Sequence, residues 1–230
     1  MTRLQGLLFP SARSLIFDLD GTLVDTVPDL AFAVDEMARA LGLPPPGPDH
    51  VRVWVGNGLT QLIKRALTGR MDGEAAPEQV ARAATLFKAA YADHYCVDSR
   101  LYPGARETLA ALRAAGKRLA VVTNKNAAFT EPILRHFGLA AYLDTVLSGD
   151  SLKRQKPDPE PLFEAVRRLG GGGAWVVGDS ANDVEAARAA GLPVVCVSYG
   201  YNHGHDIREA KPDAIIDSLA ELLPLIAKGE

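Results

Sequence analysis

Asp18 and Asp20 stand two residues apart in the stretch Ser14 to Thr26, SLIFDLDGTLVDT, directly after the short apolar run Leu15-Ile16-Phe17. That run has the length and branching of a buried strand, and the Asp-Gly step at Asp20-Gly21 breaks it at once. While the backbone stays extended, side chains two apart leave on the same face, so the two carboxylates share a side at a strand's end. Like charges that close must be neutralised by a proton on one Asp, by a basic side chain, or by a hard cation such as Mg²⁺. A plainer reading also fits the pair, an Asx-type turn in which Asp20-Gly21 closes a loop and Thr22 caps the next segment.

Two further segments carry chemistry of the same kind. Arg118 to Val122 reads as a strand ending in Thr123-Asn124-Lys125, where Thr123 can cap a helix and, with free N–H groups behind it, help to bind an anion. Ala174 to Val177 ends in Gly178-Asp179-Ser180, and Asn182-Asp183 opens the next helix. One Asp there is explained as a cap, but two sharing a site call for a cation. Between these lies Lys153 to Pro159, KRQKPDP, which is either a solvated loop or, with Pro157 and Pro159 stiffening it, a holder for Lys156.

These residues need a scaffold that gathers strand ends. From Pro103 onward helical segments alternate with short β-rich runs, among them Thr145 to Leu147, Val194 to Val197 and Ala214 to Ile216, and the chain closes in an amphipathic segment from Leu219 to Ile226. Repeated units of this kind predict an α/β fold, a parallel, Rossmann-like sheet sandwiched by helices. The carboxyl ends of such strands lie on one rim, where ligands bind. Pro28 to about Arg100 differs: Leu30, Val34, Met37 and Leu41, then Leu59, Leu62, Ile63, Ala66 and Leu67, then Val80, Ala84, Phe87 and Tyr91 recur at helical spacing with no strand signal. The expected organisation is a core of residues 1–26 and 101–230 with an inserted helical cap at 27–100. Gly170 to Gly173 reads as a loop tip rather than a phosphate-binding turn.

Composition narrows the function classes. With 230 residues, 47% hydrophobic and 23% charged, the chain is an ordinary globular protein able to bury a good core. A net charge of −3 gives no electrostatic reason to expect nucleic acid or an anionic membrane as partner. Cys96 and Cys196 stand in no metal or redox spacing and fit small buried hydrophobes in a reducing cytoplasm. Leu4 to Phe9 is too short for a signal-peptide core, so a cytoplasmic protein is expected, a monomer or homodimer.

FDLDGTLVDT, VVTNK, KPDPEP and VVGDSANDVEAARAAG resemble, in order, the motifs of the haloacid dehalogenase superfamily, from about Ser14 to the C-terminus. More narrowly, WVGNGLTQLIKRAL in the helical insert and the late YGYNHG resemble the phosphoglycolate phosphatase family. The resemblance implies Asp18 as nucleophile and Asp20 as general acid and base, with Thr123 and Lys156 on the transferring phosphoryl group. It implies Mg²⁺ on Asp18, Asp179 and the backbone carbonyl of Asp20, with Asp183 behind the metal; Gly21, Thr22 and Asn124 of the core and Gly56, Asn57, Gly58 and Arg65 of the insert are expected beside the substrate. The implied reaction is hydrolysis of a small phosphorylated metabolite, 2-phosphoglycolate first. Alternatives are another small phosphate ester or pyrophosphate, or a phosphosugar mutase. A dehalogenase fits less well, because carbon–halogen cleavage needs neither a protonated leaving group nor a cation. An inactive binding module would be expected to have lost one of Asp18, Asp20, Lys156 or Asp179.

In the insert, positions 58, 61, 62 and 65 share a helix face, which sets Arg65 over Gln61 and the turn Gly56-Asn57-Gly58. Arg65 can there grip a substrate carboxylate, with the turn glycines admitting backbone N–H groups, or it can pair as a surface charge with an acid of the core.

Overall fold

The strand runs close into one parallel sheet of six strands. The computed structural model describes residues 12–227, and its sheet order is β5-β4-β1-β6-β7-β8, with β1 at Ser14–Phe17, β4 at Arg118–Val122, β5 at Thr145–Leu147, β6 at Ala174–Gly178, β7 at Val194–Val197 and β8 at Ala214–Ile216. Leu4 to Phe9 lies outside the described residues. Alternate side chains serve opposite faces. Leu15, Phe17, Val121 and Val177 join one apolar cluster, while Ile16, Ala120, Val122 and Val176 join the other. Burial on both faces is why these strands read as unbroken apolar runs rather than alternating ones.

Helices α5 (Ala105–Ala114), α6 (Ala127–His136), α7 (Glu160–Arg168), α8 (Ala181–Ala190) and α9 (Leu222–Ala227) cover the sheet. Leu219–Glu221, expected to open the last helix, is a short 3-10 turn before α9. The cap of α6 is Asn126, not Thr123, and Asp150 accepts the Ala127 N–H at 2.8 Å. Thr123 is thereby free for another task. Gly170, Gly171 and Gly172 all take left-handed φ values in the expected loop tip.

Between β1 and the rest of the sheet lie four helices: α1 (Val27–Ala40), α2 (Gly47–Trp54), α3 (Gly58–Thr68) and α4 (Pro77–His94). The second of these carries none of the helical stripes expected for the insert. Pro48 sits in the first turn of α2, where a missing N–H costs nothing. A second difference lies at the junction, where β2 (Val24–Asp25) pairs antiparallel with β3 (Arg100–Leu101). The chain thus leaves for the helices and returns from them through one two-stranded ribbon.

Candidate active site

Register assembles the site. Phe17 pairs with both Val121 and Val177, so the residues that follow β1, β4 and β6 emerge side by side on one rim. Asp18 donates its N–H to Val177 O at 2.9 Å, which carries the sheet pairing up to the carboxylate itself. Asp18, Asp179 and Asp183 each offer an oxygen within 4.8 Å of the others.

Lys156 reaches this group from the loop before α7. Its ammonium lies 3.1 Å from Asp18 Oδ1 and 2.6 Å from Asp183 Oδ1, and it is buried. Burial works to lower the Lys156 pKa, but the charges of Asp18 and Asp183 outweigh it and the net shift is upward. Burial pushes the Asp18 carboxyl up to about 7, against the pull of Lys156 and with the repulsion of Asp183 and Asp20 added. Asp179 is also raised, by burial first and then by Asp183 and Asp18. One ammonium does not balance these buried acids. Hard oxygen donors in that number, with charge left to neutralise, fit Mg²⁺ on Asp18 and Asp179.

Each ligand candidate is held. Asp179 accepts from the Thr22 hydroxyl at 2.7 Å and from the Tyr201 N–H at 2.6 Å. Asp183 Oδ2 takes the N–H of Asp179 and both the N–H and hydroxyl of Ser180, closing a capping box at the start of α8. With Lys156 on its other oxygen, Asp183 orients its neighbours. Gly21, at φ +87°, allows the chain to turn under Asp179, and a Cβ added there would stand 2.3 Å from Asp179 Oδ2.

The other expected site residues divide. Thr123 lines the same cavity as Asp18 and Asp20, and its hydroxyl oxygen accepts the Lys125 N–H at 3.3 Å, leaving its O–H to donate. Asp20 is turned to the side, taking the Thr26 hydroxyl at 2.6 Å and the Lys125 ammonium at 3.2 Å. The Thr22 hydroxyl is spent on Asp179, not directed at a substrate. Asn124 is spent too: its carbonyl takes the Lys156 N–H at 3.0 Å, and its amide donates to Lys156 O at 2.8 Å and to Gly56 O at 3.0 Å. It fixes the Lys156 loop and seats the helical insert on the rim.

In the insert, Gly56 and Gly58 line the cavity, and Gly56 O also takes the Asn182 amide at 3.3 Å. Asn57 donates to Asn182 at 3.1 Å, a second tie across the same seam. Arg65 departs from the expected pairing with an acid of the core. It is 8% exposed, and its guanidinium donates to Trp54 O at 2.5 Å, Met71 O at 3.0 Å and Asn57 Oδ1 at 2.8 Å. These bonds brace the Gly56 to Gly58 turn from behind, and no acid of the core is among the guanidinium's partners in the described residues.

Lys125 and Tyr201 were not singled out from sequence. Lys125 stood in the Thr-Asn-Lys strand end and Tyr201 in YGYNHG. A basic residue directly after a strand end that must be buried was the available signal for the first, and nothing local marked the second.

Residues 12–191 match the family described as haloacid dehalogenase-like hydrolase. A phosphoglycolate phosphatase of Nitrosococcus oceani is 50% identical over 94% of this chain and 96% of its own length. Phosphoglycolate phosphatase 1 of Pseudomonas aeruginosa is 45% identical over 92% of this chain and 79% of its own. Among solved structures, one described as a predicted phosphoglycolate phosphatase from Haemophilus somnus superposes with a TM-score of 0.88 at 37% identity, covering 94% of this chain and 99% of that one.

Proposed function

The chain belongs to the haloacid dehalogenase-like hydrolases, and on that premise we propose that it is a Mg²⁺-dependent phosphatase that converts 2-phosphoglycolate to glycolate and phosphate through an aspartyl-phosphate on Asp18. The observation that carries the reading is the set of Asp18, Asp179 and Asp183 within 4.8 Å, with Lys156 bonded into it. A structural ion pair would need one acid per base. Here the excess of acid suits a reaction on a phosphate ester, in which cations must surround an anion and its attacking carboxylate together.

Asp18 Oδ1 is fixed by the Leu19 N–H at 2.7 Å and by Lys156, which aims the carboxylate for attack on phosphorus. Attack forms a mixed anhydride and releases the alcohol, splitting one hard hydrolysis into two easier steps. Asp20 gives its proton to the leaving oxygen, then takes one from the water that attacks the acyl phosphate. Thr123 and Lys156 donate to the phosphoryl oxygens. Bound on Asp18, Asp179 and the Asp20 carbonyl, Mg²⁺ would supply charge neutralisation for the phosphoryl group.

The helices of residues 27–100 serve as a cap domain over the catalytic core, with the β2–β3 ribbon as its hinge, excluding water from the first step. The cavity left under it is lined by Asp18, Asp20, Thr123 and Lys125 from the core and by Gly56, Gly58 and Tyr91 from the insert. We place the reaction in the cytoplasm, in keeping with free, buried Cys96 and Cys196. A panel of small phosphomonoesters assayed with Mg²⁺ and again with chelator tests the reading. The expected result is preference for 2-phosphoglycolate and loss of turnover in EDTA that Mg²⁺ restores; full activity in chelator would overturn it.

A further inference from the structure

A substrate with a carboxylate beyond its phosphate needs a second cationic contact, and the Arg65 guanidinium is already committed to Trp54, Met71 and Asn57. Among the described residues lining the cavity beside Asp18, Lys125 is the one cation. Its side chain is 6% exposed, and its ammonium sits 3.2 Å and 3.3 Å from the two oxygens of Asp20. It also lies over the ring of Tyr91, 4.9 Å from the centroid. Tyr91 comes from α4 in the helical insert and is fully buried in the same cavity wall, and its hydroxyl has no well-formed hydrogen bond among the described residues beyond the approach of the Lys125 ammonium. A buried hydroxyl this poorly satisfied gains from a ligand acceptor placed beside it.

Asp20 meanwhile is held away from chemistry. Its carboxylate is bound by Lys125 and by Thr26, so the group that must serve the leaving oxygen is engaged in an ion pair. A second anion arriving in the cavity competes for that ammonium. Resting on the reading of the site as a phosphatase for a small carboxylated phosphate ester, we propose that Lys125 and the Tyr91 hydroxyl together receive the substrate's carboxylate. In taking Lys125, the carboxylate releases Asp20, which takes a proton from solvent, gives it to the leaving oxygen and then, ionised, acts as base. Recognition of the carboxylate is then also the event that frees the proton carrier, and a phosphate ester without that group binds to a site in which Asp20 stays paired. Lys125 comes from the sheet rim and Tyr91 from the insert, so the same contact requires the two to be closed on each other.

The test compares 2-phosphoglycolate with ethyl phosphate, which carries no carboxylate, at saturating Mg²⁺. In the wild type the first substrate is expected to have both the lower KM and the higher kcat. Lys125→Met should lower the ratio of kcat/KM values for the two substrates by about 100-fold, since a site built to bond a group discriminates through it. The two kcat values should converge, and Lys125→Arg should recover part of the ratio. Tyr91→Phe keeps the ring and the Lys125–Asp20 ion pair and keeps the test open if Lys125→Met fails to fold; it should lower the ratio by about tenfold. An unchanged ratio in Lys125→Met, or in Tyr91→Phe where the former cannot be purified folded, overturns the inference while a wild-type preference for 2-phosphoglycolate leaves the functional reading standing. No preference in the wild type overturns both.

Discussion

Tyr201 ties Asp179 to Asp25. Its backbone N–H donates to Asp179 Oδ2, and its hydroxyl donates to Asp25 in the β2–β3 ribbon while accepting the Thr26 N–H at 3.0 Å. One residue therefore links a candidate metal ligand to the place where the chain enters the helical insert. The guanidinium of Arg52, on α2, lies over the same ring at 4.9 Å from its centroid.

Tyr201→Phe separates the two links. It removes the hydroxyl, leaves the Thr26 N–H without its partner and Asp25 with Arg52 alone, but keeps the N–H that orients Asp179. We predict a loss of about 1–3 kcal/mol in unfolding free energy, read from the urea midpoint, with Mg²⁺ half-saturation unchanged. A shifted Mg²⁺ requirement at unchanged stability would place the role of Tyr201 at the metal instead.

Gly200 tests how closely Asp179 is confined. A Cβ added there would stand 2.2 Å from the Asp179 Cβ, too near the backbone for the side chain to swing clear. Gly200→Ala is expected to raise the Mg²⁺ concentration for half-maximal activity by about tenfold or more, as displaced metal ligands do. Circular dichroism should remain that of the wild type. An unchanged Mg²⁺ titration would show that Asp179 is not a ligand.

Arg65 should behave as a brace. Arg65→Ala strands the carbonyls of Trp54 and Met71 and the Asn57 side chain, with an expected stability loss of about 2–4 kcal/mol. The ratio of kcat/KM values for 2-phosphoglycolate and ethyl phosphate should not move. A fall in that ratio would return Arg65 to the substrate.

The contrast between Asp18 and Arg65 shows what was legible in the chain. Strand-end acids announce themselves because an apolar run cut off by Asp-x-Asp-Gly has few physical explanations, and parallel register then fixes where the acids meet. The face of α3 that carries Arg65 was also legible, since Asn57 does lie against it. Its partners were not, because the Trp54 and Met71 carbonyls belong to a helix end and a loop that no side-chain pattern reveals. Lys125 was hidden for a related reason: its meaning depends on Asp20, 105 residues away, which only the sheet order brings near. The β2–β3 ribbon has two residues per strand, too few for any periodicity to register.

We propose the Asp18 carboxylate as the nucleophile, and steady-state turnover by Asp18→Asn, its identity checked by mass to exclude deamidation, tests that role most directly. An amide of nearly the same shape should fold like the wild type yet cannot form the acyl phosphate, so kcat for 2-phosphoglycolate is predicted to fall by about 10³-fold or more. Turnover within about tenfold of the wild type in verified, folded Asp18→Asn protein would contradict the account.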